Sequence, residues 1–105
     1  MTDINTNFAP GMIVATAGVE ALMKESDAFH GFVAHSLLRH LNGDWGDLCE
    51  EDTNANDEAL ESGARLLSNY PYEYDGQHMR IWIITEAQDD QGARSATTVL
   101  FPEEY

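Results

Sequence analysis

Residues 64–86 read ARLLSNYPYEYDGQHMRIWIITE, and their periodicity decides the fold. Leu66, Ser68, Tyr70, Tyr72 and Tyr74 alternate with Arg65, Leu67, Asn69 and Glu73, the period of a half-buried β-strand. Asp75-Gly76 follows at once, the dipeptide that suits a tight hairpin because both central positions tolerate positive φ. Met79 to Glu86 supplies the returning strand, with Ile81 and Ile83 on one face and Trp82 and Ile84 on the other. Pro71 has no amide hydrogen to donate, so it marks an edge or a bulge in the first of these strands. Beyond them, Asp89-Asp90-Gln91-Gly92 reads as a loop, and Ser95 to Phe101 as a third, β-branched strand stopped by Pro102.

Upstream the period becomes helical. Ser26 or Asp27 starts a helix in which Phe29, Phe32, Val33, Leu37 and Leu41 recur on one stripe, widened by Ala34 and Leu38. Asn42-Gly43 ends it, since both residues tolerate the left-handed C-terminal position. Before it, Thr16 caps a shorter helix that carries Val19, Leu22 and Met23 on one side. Met12-Ile13-Val14-Ala15, a short apolar run after Gly11, reads as a buried strand, and Met1 to Pro10 as a flexible leader. A third helix, from about Leu48 to Ser62, has a thin apolar stripe of Leu48, Ala55, Ala59 and Leu60, so it belongs on the surface. The expected fold is a single α+β domain over residues 11–105. Its N-terminal helices pack on one face of a small antiparallel β-meander of about three to four strands.

The 105-residue chain carries 19 acidic and 5 basic residues, a formal charge of −14, while 43% of its residues are hydrophobic. The apolar content argues against a disordered acidic tail. Five cations are too few to build a general nucleic-acid surface or to hold an anionic membrane. No apolar run reaches the roughly 18 residues of a membrane span. The sequence MTDINTNFAPG has neither the basic nor the apolar region of a signal peptide. The single cysteine, Cys49, cannot form an internal disulfide and fits a reducing cytoplasm.

Between Leu41 and Ala64 there is no Lys or Arg, yet that window holds Asp44, Asp47, Glu50, Glu51, Asp52, Asp57, Glu58 and Glu61, eight of the nineteen acids. On a helix, Glu50, Asp57 and Glu61 fall close to one line and Glu51 and Glu58 on the next. Like charges three or four apart oppose the helix by a few tenths of a kcal/mol per pair, roughly. Carboxylates in the first turn favour the helix dipole and offset part of that. Such a face either keeps the protein soluble or imitates nucleic-acid phosphates toward a basic partner protein. Trp45, between two Gly-Asp pairs, is either an anchor for that partner or a plug between the helical and sheet layers.

Other chemistries find little footing. An EF-hand loop counted from Asn42 puts Gly46 at the fifth position and Asp47 at the sixth, which reverses the required pattern. His30, His35 and His40 are each rotated by about 140° on a helix and cannot converge on one metal. His40 and Arg39 instead suit the negative C-terminal end of their helix. Cys49 sits among carboxylates with no nucleophile motif around it, so it is expected to be structural or incidental. There is no Gly-rich phosphate loop, so no cofactor is expected. Glu86 and His78 lack any motif that would make them catalytic.

The string HLNGDWGDLCEEDTNANDEAL, then GARLLSNY, IWIITEA and RSATTVLFPEEY, resembles a family of small uncharacterised bacterial proteins carried on plasmids and integrative elements. These bear the label "plasmid-related protein", and some the label of a type I restriction enzyme M subunit. The resemblance spans about Gly11 to Tyr105. A chain this short without a Gly-rich cofactor motif cannot house a methyltransferase domain. Residues Gln88 to Ala93 lengthen a loop that is shorter in the family's ITEADRSATTVL pattern. The resemblance implies a mobile-element setting.

The expected function is that of a non-enzymatic, cytoplasmic interaction protein, a nucleic-acid mimic acting on a host defence or DNA-binding protein. Its partner-binding residues would be Asp44, Trp45, Asp47, Glu50, Glu51, Asp57, Glu58 and Glu61. The alternative is a small-molecule-binding or regulatory domain with a pocket around Tyr70, Tyr72, Trp82 and Arg94. Homo-oligomer formation through an edge strand is compatible with either.

Overall fold

In the computed structural model, which describes residues 6–105, the elements follow the order β1 (Met12–Ala15), α1 (Ala17–Glu25), α2 (Asp27–Leu41), α3 (Glu50–Ser62), β2 (Leu66–Tyr74), β3 (Gln77–Thr85) and β4 (Ala96–Leu100). A 3-10 turn over Pro102–Glu104 closes the chain. Tyr74 pairs with Gln77 across Asp75 (φ 51°) and Gly76 (φ 78°), so the hairpin turn has the two positive φ angles its dipeptide promises. β2, β3 and β4 form the antiparallel meander, and β1 adds to β4 in parallel, giving the order β1-β4-β3-β2. The fold is α+β.

The register puts Tyr70, Ile81, Ile83 and Val99 on one face, where they meet Val19 of α1 and Phe29 and Val33 of α2. Phe29 is ringed by Phe32, Tyr72 and Phe101 at centroid distances of 6.1, 5.4 and 5.9 Å. A second cluster, Trp45, Ala59 and Leu66, fills the space between the β2 end of the sheet and α3. On the other face Trp82 meets the C-terminal Tyr105 edge-on at 5.7 Å.

Four expectations need correction. β1 is an exposed strand and not a buried one, because it is the end strand of the sheet: Met12, Ile13 and Val14 are 69%, 49% and 36% exposed. Ala34 and Leu38 face solvent, since α2 is covered on one side only. Thr16 occupies the N-cap of α1 without capping it through its side chain. Its hydroxyl donates to Glu104 Oε1 (2.6 Å), and Glu104 Oε2 accepts from the Gly18 amide (2.9 Å). The helix is thus capped by a carboxylate from the far end of the chain. Of the expected leader, Met1 to Asn5 lie outside the described residues, but Asn7 to Pro10 are fastened down. The Asn7 amide donates to Leu41 O (2.7 Å), and the Phe8 ring stands edge-on to His40 at 5.4 Å.

His40 corrects a further expectation, for it does not neutralise the end of α2. It is fully buried, with Nδ1 2.6 Å from Ser68 Oγ and Nε2 2.8 Å from Thr85 Oγ1. Thr85 Oγ1 is 2.7 Å from Thr97 Oγ1, which donates to Pro10 O at 2.8 Å. A carbonyl can only accept, so the direction of the whole chain follows. Thr97 spends its proton on Pro10, Thr85 donates to Thr97, and His40 Nε2–H donates to Thr85. Because burial disfavours the imidazolium, Nδ1 carries no proton and accepts from Ser68.

Burial, with the Arg94 charge second, pushes the His40 pKa down from 6.5 to about 4. The unfolded chain binds a proton that the folded chain refuses, so this contribution is complete above pH 6.5 and is lost as pH falls toward 4. Urea unfolding of the native chain should lose about 2 kcal/mol from this source between about pH 7.5 and about pH 5. A His40→Gln variant, less stable throughout, should lack that slope; equal slopes would refute the assignment.

Candidate functional site

α3 stands beside the outer edge of β2, and polar side chains hold it there. Asn56 Nδ2 donates to Leu67 O (2.7 Å) while its Oδ1 accepts from the Leu67 amide (3.2 Å). One side-chain amide thereby takes the place of a neighbouring strand. Two residues along, the Asn69 amide donates to Trp45 O (3.0 Å) and the Asp47 amide donates to Asn69 O (2.7 Å). Gly46 (φ 78°) lies at this approach, where a Cβ would run into the Asn69 carbonyl oxygen.

The C-terminal end of α3 has no basic residue of its own in its last turn. Gly63 (φ 85°) turns the chain out, and Arg94 comes in from the loop before β4. Its Nη2 donates to Ala59 O (3.0 Å) and its Nη1 to Ala64 O (2.7 Å) and Glu86 O (3.0 Å). At 7% exposure Arg94 is a buried cation whose charge opposes the negative end of an acidic helix.

With its inner side so fixed, α3 turns its carboxylates outward. Asp44, Asp47, Glu50, Glu51, Asp52, Asp57, Glu58 and Glu61 are all exposed. Among the described residues only Asp44 of these is in a salt bridge: Arg39 Nε and Nη2 donate to its two oxygens at 2.7 and 3.1 Å. The Arg39 hydrogen bond holds the Asp44 carboxyl below the usual carboxylate range. Arg39 also lies 4.8 Å from the centre of the Tyr70 ring, and Tyr70 OH donates to Asp44 O (2.6 Å). Asp44 therefore pins the end of α2 to β2. Asp57 accepts from Trp45 Nε1 (3.0 Å) and keeps its other oxygen free.

Trp45 is 3% exposed and packed with Ala59 and Leu66. That corrects its assignment as a partner-binding anchor, because the ring has no surface to offer; it fills the gap between layers. Ala55 is exposed, and Asn56 takes the buried place on α3. Position 56 lies three residues before Ala59 and four before Leu60, so helical spacing marked it as inward, although its residue type did not. His40, three residues after Leu37 and seven after Val33, was marked inward by the same spacing, whereas Arg94, in a loop, carried no comparable signal.

The residues of the alternative pocket do not converge. Tyr70, paired with Ile81, points to the helices; Trp82, paired with Asn69, lies on the opposite face; Arg94 is under the end of α3. His78, near the start of β3, and Glu86, just past its end, are far apart along the strand and exposed. Cys49 is exposed at the N-cap of α3 and makes no side-chain capping bond. Among the described residues no three His, Cys, Asp or Glu side chains gather in a metal-holding group, and no helix is long and apolar enough to cross a membrane. Comparison with protein-family models, curated proteins and solved structures finds no match to this chain.

Removing the Asn56 amide leaves the Leu67 amide and carbonyl without their partners. Asn56→Ala should destabilise the fold by about 1–3 kcal/mol in urea unfolding. Glu58→Gln, on the outer side of the same helix, should change stability by less than about 0.5 kcal/mol. Equal effects would show that α3 is not held through Asn56.

Proposed function

We propose that this chain is a non-enzymatic interaction protein whose acidic α3 face occupies the basic groove of a nucleic-acid-handling partner protein. The observation that carries the reading is the row of exposed carboxylates without cationic partners, on a helix whose inner side is tied down by Asn56 and Arg94. Glu50, Glu51, Asp57, Glu58 and Glu61 fall within eleven residue steps of helix. At about 1.5 Å per residue that averages about one carboxylate per 4 Å, comparable with the ~3.4 Å phosphate spacing along one DNA strand. A rigid backbone under the charges supports the reading further, because a preorganised row of anions meets a groove without first being ordered. The resemblance to plasmid-borne and integrative-element proteins supports a reading in which this activity lies in the cytoplasm of a bacterial host and is directed at a defence or DNA-binding protein.

The test is capture of host proteins on the immobilised chain, followed by elution with salt and with duplex DNA. A variant carrying Glu50→Gln, Glu51→Gln, Asp57→Asn, Glu58→Gln and Glu61→Gln serves as the control. Asp44 is left intact because its carboxylate holds Arg39, and Asn at position 57 keeps an acceptor for Trp45. The expected result is a nucleic-acid-binding protein released by DNA, weakened steeply by salt and lost with the variant. Equal capture by both chains, insensitive to salt, would overturn the proposal.

A further inference from the structure

The two edges of the sheet are treated in opposite ways. On β2 the outward-facing amides and carbonyls of Leu67 and Asn69 are all partnered, and the next outward amide is missing. Asn56 holds Leu67, the Trp45–Asp47 segment holds Asn69, and Pro71 has no amide hydrogen. These are means by which sheets avoid strand addition. β1 has none of them. The Met12 and Thr16 amides donate to Ser95 O and Val99 O, so the even-numbered residues turn their backbone groups to β4. In a parallel ladder the odd-numbered residues then face outward. The amides and carbonyls of Ile13 and Ala15 thus line the outer edge with no backbone partner among the described residues. Met12, Ile13 and Val14 are also three of the five large hydrophobic side chains exposed on the described surface.

We propose that β1 is a self-pairing edge, on which a second copy of this chain adds its own β1 antiparallel across a two-fold axis through Val14. Charge selects this occupant. At −14, two copies repel each other over most of their surface, but no charged residue occurs from Ile4 to Val19. The acidic α3 lies at the opposite edge of the sheet, beside β2. An uncharged apolar strand gives a basic or acidic partner nothing to steer by, whereas it is complementary to itself.

The geometry closes on a two-fold axis. Ile13 of one copy faces Ala15 of the other, and each such pair exchanges two backbone hydrogen bonds. Val14 meets Val14 of the second copy in the close, non-hydrogen-bonded position between them. The result is one continuous sheet made of two four-stranded halves. A stable interface covers about 800 Å² per partner, more than a four-residue strand supplies, so the dimer is reversible and concentration-dependent.

Sedimentation equilibrium tests this. The mass should rise with concentration from the 11.7 kDa of one chain toward twice that value. Added salt should favour the dimer by screening its net repulsion, the reverse of its effect on binding through α3. That opposite sign separates failure of this inference from failure of the acidic-face reading, on which it does not rest. Ile13→Pro removes an outward amide that β4 does not use, and Val14→Lys places a charge on the axis. Each should weaken association at least about tenfold, with far-UV circular dichroism of the dilute monomer unchanged. Val14→Cys in a Cys49→Ser background should cross-link into a disulfide dimer under mild oxidation. A chain that remains at 11.7 kDa throughout its soluble range would overturn self-pairing and leave the edge to a strand from another protein. Association that survives both Ile13→Pro and Val14→Lys would overturn it too.

Discussion

The hydrogen-bond chain through His40 joins parts of the sequence that would otherwise have little reason to meet. The imidazole comes from the last turn of α2, Ser68 from β2, Thr85 from β3, Thr97 from β4 and the terminal acceptor from Pro10. Each hydroxyl has one proton and each must go to the next acceptor, so the arrangement is satisfied in one tautomer only. A buried polar network of this kind is tolerated when complete and destabilising when broken. It therefore selects one seating of α2 on the sheet, where apolar packing alone would allow sliding. Phe8 and Trp45, edge-on to the ring at 5.4 and 5.6 Å, keep water from the site.

From that seating the placement of the acidic helix follows. The turn after His40 carries Asp44 and Trp45 to the β2 edge, where Arg39, Tyr70 and Asn69 fasten the loop. Trp45 then forms the floor on which Ala59 rests. Arg94 links the other end of α3 to Glu86, just past β3, and its guanidinium stands 5.7 Å from the Phe8 ring. The Arg94 charge also contributes to keeping His40 neutral. One cation thus serves two purposes: it opposes the negative end of α3 and disfavours protonation of the network.

The sequence revealed the meander, because alternation around Asp75-Gly76 has a period and a turn chemistry that few other structures share. It revealed α2 through Phe29, Val33, Leu37 and Leu41 for the same reason. Burial of β1 was misread because a run of four apolar residues looks alike in a central strand and at an edge; only the sheet order distinguishes them, and sheet order is not local. His40 was misread in the opposite direction, and Asn56 and Arg94 were given no buried role. Polar residues are usually exposed, and their burial here depends on partners 8 to 45 positions away, among them Leu67, Ala59 and Thr85. The acidic surface was legible because its exposure needs no partner: eight carboxylates in a window that holds no Lys or Arg have too few cations nearby to be buried against.

Two features of α3 explain why its charge is sustainable. Its first turn holds Glu50, Glu51 and Asp52, where the helix dipole favours anions. Farther along, Asp57 and Glu58 gain no such help and Glu61 is opposed by the dipole, so the last turns depend on attachments from outside the helix. Trp45 reaches Asp57, Asn56 reaches the β2 backbone, and Arg94 reaches the Ala59 carbonyl. An isolated peptide of this composition and length would have little reason to be helical in water. Helicity is imposed by the sheet edge, and the same attachments that impose it also close that edge to other strands. The open edge at β1 and the charged surface at α3 are thus consequences of one arrangement, in which the polar side chains that restrain the acids are concentrated on one side of the sheet.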